Sequence, residues 1–98
     1  MIAKLVRYRV KAEEIAAVEA AVREFVSAIA EHEPGTAYWS YRTVGGRSYC
    51  HVMQFRDEES ELLHQEAPYT RAFVTTLYPR CDAGPTYTDL SPLAAAGI

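Results

Sequence analysis

An α+β domain of order β-α-β-β-α-β is predicted for this 98-residue chain, and three observations carry the prediction. One long stretch of helical periodicity separates an alternating N-terminal run from a hairpin signal centred on Gly45-Gly46. A second helical stretch, restarted at Pro68, follows the hairpin, and a short alternating segment comes last. The length has room for one domain. At 49% hydrophobic residues, the top of the ordinary range of roughly 45–50%, the composition excludes disorder.

Each element has its own signal. In residues 2–10, Val6, Tyr8 and Val10 fall on one face of a strand and Leu5, Arg7 and Arg9 on the other. From about residue 12 to 33, Ile15, Val18, Val22, Phe25 and Ile29 form one apolar stripe at helical spacing. Glu13 and Glu14 suit the positive end of that helix, Glu19 can pair with Arg23, and Pro34-Gly35 ends it. Residues 36–44 and 47–56 are strands about a two-residue turn at Gly45-Gly46. That register sets Arg42 opposite Tyr49, Ser40 opposite His51 and Tyr38 opposite Met53 on one face, with Trp39, Tyr41, Cys50 and Val52 on the other. Asp57 is an N-cap for a short helix through residue 66, and Pro68 opens a helix that carries Tyr69, Ala72, Phe73 and Leu77 on one side. Residues 79–85 read as a loop broken at Gly84-Pro85, and 86–90 as the last strand. Residues 91–98 are small and apolar, a tail free to dock, on a partner copy among other places.

This order is the split βαβ pattern of ferredoxin-like folds, with the first and third strands central and the helices on one face of a four-stranded antiparallel sheet. Leu5, Trp39, Tyr41 and Val52, with Cys50, then lie on a face that no helix covers. A two-fold homodimer through that face is the expected remedy. Ten Lys+Arg against thirteen Asp+Glu leave no basic surplus for nucleic acid or an anionic membrane. No apolar run approaches the ~20 residues of a membrane span, and the first five residues do not resemble a signal peptide. Cys50 and Cys81 share no metal spacing and no disulfide framework, so a reducing cytoplasm is the default expectation.

Residues 1–10, the run Glu33-Pro34-Gly35-Thr36-Ala37-Tyr38-Trp39, and the stretch from Phe55-Arg56-Asp57 through His64 to Tyr69-Thr70-Arg71-Ala72-Phe73 together resemble the antibiotic biosynthesis monooxygenase family, of the dimeric α+β barrel group. The likeness runs over roughly residues 2–91. It implies a homodimer joined through its sheets, with one pocket per subunit between sheet and helices. It also implies, for some members, oxygenation of phenols, anthrones or quinols by molecular oxygen without metal or flavin. Several positions depart from the pattern. Lys11-Ala12-Glu13 stands where a turn glycine is usual, and Met53 and Phe55 stand where a Glu and a Trp are common, so that strand supplies no carboxylate base. The positions that matter in haem degradation hold Val6, His64 and Val74, which does not imply that reaction. The pocket positions of the polyketide oxygenases hold His51, Phe55, Glu61 and Thr75.

The candidate chemistry therefore centres on two histidines. His51, mid-strand on the helix-facing side, can deprotonate a phenol because an imidazole titrates near neutrality; otherwise it is a buried neutral histidine bonded to Ser40 or to backbone. His64 matches a histidine position of the resemblance and either faces His51 across a cavity, caps its helix or packs on Pro68-Tyr69. No third ligand stands near them, so neither a metal site nor a cofactor is expected. Tyr38, Tyr49, Phe55, Tyr69 and Phe73 are candidates to line an aromatic slot, against ordinary core packing. Arg42, and Arg71 as a further cation, could hold a phenolate or a developing superoxide, against surface ion pairing. The expected activity is a cofactor-independent monooxygenase acting on a quinol or polyphenol with molecular oxygen, His51 or His64 being the base. An isomerase or cyclase in the same barrel, and a ligand-binding or structural dimer with a filled pocket, are the alternatives.

Overall fold

The computed structural model describes residues 1–98 and runs β1 (Ile2–Val10), α1 (Ile15–His32), β2 (Thr36–Arg42), β3 (Ser48–Phe55), α2 (Glu58–Glu66), α3 (Pro68–Leu77) and β4 (Cys81–Leu90). The strands form one antiparallel sheet of order β2-β3-β1-β4, with β1 and β3 central. This is the ferredoxin-like arrangement that the element order predicts. Period-2 alternation turns Val6, Tyr8 and Val10 of β1, and Tyr49, Met53 and Phe55 of β3, toward the helices. Opposite them lie Val18, Val22, Phe25 and Ile29 of α1 and Phe73 and Leu77 of α3, and these twelve residues are the core. The Phe25 and Phe73 rings stack with centroids 4.4 Å apart and planes 8° apart, locking α1 to α3.

The hairpin keeps its predicted register, Arg42 against Tyr49, Ser40 against His51 and Tyr38 against Met53. Its connection is wider than two residues. Thr43 N donates to Ser48 O at 2.9 Å and Gly46 N to Thr43 O at 2.9 Å, so residues 44–47 form the loop and Gly45 takes φ 71°. The first helical turn also differs from expectation. Lys11 offers no capping side chain, and Ala12–Glu14 is a 3-10 turn closed by Glu14 N on Lys11 O before α1 begins. Asp57 does cap α2, its Oδ1 accepting from Ser60 N at 2.8 Å.

Residues 79–85 are not the loop their Gly-Pro pair suggests. A 3-10 turn over Tyr78–Arg80 leads directly into β4, which begins at Cys81. Asp82 holds that start in place by accepting from Arg9 Nε at 2.7 Å and Arg47 Nη1 at 2.9 Å. The register slips between Arg7–Thr86 and Arg9–Ala83, and Gly84 absorbs the slip at φ 74°. A Cβ there would lie 2.7 Å from Arg7 O. Pro85 can sit in this strand because β4 is an edge and its missing N–H is not needed by a further neighbour.

The other side of the sheet carries no helix. Trp39 and Tyr41 are 42% and 57% exposed, with Leu5, Cys50 and Val52 half-buried between them. Residues 91–98 have no regular structure and are exposed. No helix is long and apolar enough to cross a membrane.

Candidate functional site

Between the helix-facing side of the sheet and the layer of α1, α2 and α3 lies a cavity of about 240 Å³. Tyr8, Tyr38, His51, Phe55, His64 and Phe73 are among the side chains that line it. The two candidate histidines thus share one cavity, and each is held by a different set of partners.

His51 sits in the middle of β3, one side-chain step along the pleat from the residue opposite Tyr8 and one from the residue opposite Tyr38. Diagonal neighbours of this kind are within reach of long aromatic side chains. The Tyr8 hydroxyl is 2.7 Å from His51 Nε2 and the Tyr38 hydroxyl 2.6 Å from Nδ1. Ser40, although opposite in the ladder, makes neither bond. His51 is 1% exposed, and burial lowers its pKa from the usual 6.5 to about 4. Burial likewise pushes both tyrosine hydroxyls well above their ordinary range. All three groups are neutral around pH 7.

His64, in the last turn of α2, meets a carboxylate that the candidate list did not contain. Glu33 closes α1, and its side chain is fully buried. It accepts from Thr36 Oγ1 at 2.8 Å and from the Tyr69 hydroxyl at 2.6 Å, and it lies 3.0 Å from His64 Nδ1. A carboxylate can only accept, so Nδ1 carries the hydrogen of this bond. Nε2 makes no hydrogen bond within the protein. Phe25, Phe55 and Tyr38 surround the ring, with centroids 5.6, 5.2 and 5.8 Å away. A histidine oriented by a carboxylate, with a free nitrogen beside an apolar cavity, is the arrangement of a general base.

Three of the candidate binding residues lie elsewhere. Tyr69 faces Glu33 and stacks on His32 with centroids 5.9 Å apart, so it braces the carboxylate beside His64 from outside the cavity. Tyr49 stacks on Tyr8 at 5.2 Å and donates to Glu19 Oε2 at 2.7 Å; burial, then that bond, push its hydroxyl up to about 12. Arg42 is drawn to the same Glu19 oxygen at 2.9 Å and to Gly46 O at 2.7 Å, and it lines surface grooves instead. Arg71 is exposed. Glu19 thus has Arg42 and Tyr49 as well as the Arg23 that helix spacing predicts, the last at 3.5 Å.

The cavity also has polar groups outside the candidate residues, although the resemblance already places Glu61 at a pocket position. Lys4 and Glu61, both in its lining, pair at 2.7 Å, and the hydroxyls of Tyr78 and Tyr87 are hydrogen-bonded at 2.5 Å. No three His, Cys, Asp or Glu side chains converge as metal ligands would.

The family model described as antibiotic biosynthesis monooxygenase matches residues 1–76. Among solved structures, Rv0793 from Mycobacterium tuberculosis superposes with a TM-score of 0.86 at 18% identity, over 98% of each chain. A Caulobacter crescentus CB15 protein bearing the family's name gives 0.87 at 17% identity, over 95% of this chain and 90% of its own. One from Nitrosomonas europaea gives 0.85 at 15%, over 96% of this chain and 100% of its own. At these identities the likeness is one of fold. No curated protein matches the chain.

Proposed function

The chain belongs to the antibiotic biosynthesis monooxygenase family, and from that premise we propose that it is a cofactor-independent oxygenase of small phenolic or quinol-like rings. The observation that carries this reading is the His64–Glu33 pair beside an aromatic cavity. His64 Nε2 takes the phenolic proton, and Glu33 holds the ring and balances the imidazolium that forms. The electron-rich anion then passes an electron to molecular oxygen, and the radical pair combines into a carbon-bound peroxide. Loss of the ring proton with cleavage of the O–O bond leaves one oxygen in a quinone and one in water. Substrate plus O₂ thus gives quinone plus H₂O, with the substrate as sole reductant.

Cavity size supports a small ring. Pockets for drug-sized ligands run from roughly 300 to 1,000 Å³, and this one is about 240 Å³, which suits one or two rings better than a polycycle. The free space also weighs against a structural dimer with a filled pocket. Pairing of two copies through Leu5, Trp39, Tyr41 and Val52 belongs to the same proposal, since it removes an exposed aromatic patch from water.

The test is oxygen uptake by metal-free protein offered a panel of one- and two-ring quinols. His64→Gln is expected to abolish uptake, and Glu33→Gln to lower it by about 100-fold, in line with loss of an orienting carboxylate. Uptake no faster than autoxidation across the whole panel would overturn the reading. Turnover without oxygen would instead assign the pair to an isomerase or cyclase.

A further inference from the structure

We propose that Tyr8, His51 and Tyr38 form a neutral proton relay that delivers a proton to the peroxide formed in the cavity, a separate task from the base His64. The inference rests on the oxygenase reading for its substrate, and on hydrogen-bond counting for its existence.

A neutral imidazole has one N–H and one lone pair. His51 uses both nitrogens, Nε2 with Tyr8 and Nδ1 with Tyr38. One tyrosine must therefore donate to the ring while the other accepts from it. The accepting tyrosine has its own hydroxyl hydrogen left over, and neither hydroxyl has another protein partner. Both tyrosines line the cavity, so one uncommitted O–H is always available to a bound ligand.

Two proton orders exist, and they contain the same number of bonds. In one, Tyr8 donates to Nε2 and Nδ1–H donates to Tyr38. In the other, both bonds are reversed. When a proton enters at one terminal hydroxyl as another leaves from the opposite one, both bridging protons shift, one order becomes the other, and no ion stays buried. That matters because His51 and Tyr8 are 1% and 4% exposed, where an unpaired charge is costly.

The Tyr38 ring also lies beside His64, although its hydroxyl is hydrogen-bonded to His51 alone. Tyr38 lies between His51, at 5.5 Å between ring centroids, and His64, at 5.8 Å. The balance over a turnover is then closed. His64 receives the phenolic proton. The peroxide anion takes a hydroxyl proton from the relay, whose loss is made good through the row from the imidazolium of His64. The ring proton, removed by the regenerated His64, leaves with the departing hydroxide as water.

The experiment has a part that needs no substrate. In nitrogen-15 spectra of histidine-labelled protein, His51 is expected to show both ring nitrogens averaged between the two tautomers at neutral pH. Tyr8→Phe or Tyr38→Phe is expected to lock it in one. A single fixed tautomer in the wild-type protein overturns the relay. The second part is turnover with any quinol that supports oxygen uptake. Each variant is expected to lower kcat by about 100-fold with little change in KM, a usual size for lost general acid catalysis. The double variant should be no slower than either single one, because a row broken once is already broken. Losses that multiply, or either single variant at wild-type rate, would overturn it. Averaged tautomers in a protein that takes up no oxygen would retain the relay and remove the oxygenase reading.

Discussion

His51 converts its burial into a pH dependence of folding. An unfolded chain protonates this ring near pH 6.5, whereas the folded protein holds it neutral down to about 4. Between those values the unfolded state binds more protons, so stability is full above about pH 6.5 and falls as the pH drops toward 4. The separation is worth about 3 kcal/mol. Urea unfolding at pH 7 and pH 5 should show a loss in the wild type about 2 kcal/mol greater than that in His51→Gln, whose side chain does not titrate. At this scale the sequence was informative where alternation operates. Period 2 alone puts Tyr8, Tyr38 and His51 on the helix-facing side. It says nothing of which hydroxyl meets which nitrogen, and Ser40, the ladder partner of His51, was the wrong guess because its side chain is too short to compete with two tyrosines reaching in along the diagonals. Glu33 escaped notice as a terminal helix charge of the ordinary solvated kind. A signal was present all the same: it lies four residues past Ile29, on the extension of the buried stripe Val18-Val22-Phe25-Ile29.

Among the elements, β4 differs most from its sequence signal. Gly84-Pro85 reads as a breaker because both residues are depleted in strands. An edge strand with a register slip tolerates both. Two glycines with nearly the same φ separate the contributions. Gly45, at φ 71°, has nothing within 4 Å of a would-be Cβ, so Gly45→Ala should cost about 1 kcal/mol, the left-handed strain alone. Gly84, at φ 74°, also meets Arg7 O at 2.7 Å and Tyr8 Cα at 3.2 Å. Gly84→Ala should cost about 2–3 kcal/mol and lower the melting temperature by about 10 °C or more in a thermal scan. Equal losses in the two variants would mean that close approach to β1 adds nothing. The helices were more legible than the strand, because an apolar stripe over α1 and an Asp-capped start to α2 are local signals that tertiary contacts reinforce.

In the molecule as a whole, the two faces of the sheet have opposite fates. One is roofed by helices and encloses the cavity; the other presents Trp39 and Tyr41. Sedimentation velocity should find a dimer in the wild type and a single subunit for Trp39→Glu, with far-ultraviolet circular dichroism unchanged. A wild type that sediments as one subunit would remove the proposed pairing. The topology and the exposed face followed from element order, since two helices can cover only one side of a four-stranded layer. The cavity did not, because whether twelve core side chains fill a space is a question of shape that no residue pattern answers.

That hollow has a thermodynamic consequence. At about 30 Å³ per molecule, a space of about 240 Å³ has room for roughly eight waters, which an aromatic guest has to release from walls built largely of Tyr, Phe, Val, Met and Leu. Association should therefore lower the heat capacity, by about 0.1 kcal/mol/K for each 200 Å² or so of apolar surface dried. Titration calorimetry with a one-ring phenol between 10 and 35 °C should give an enthalpy that grows steadily more exothermic on warming, and a flat profile would place the ligand on the outside of the protein.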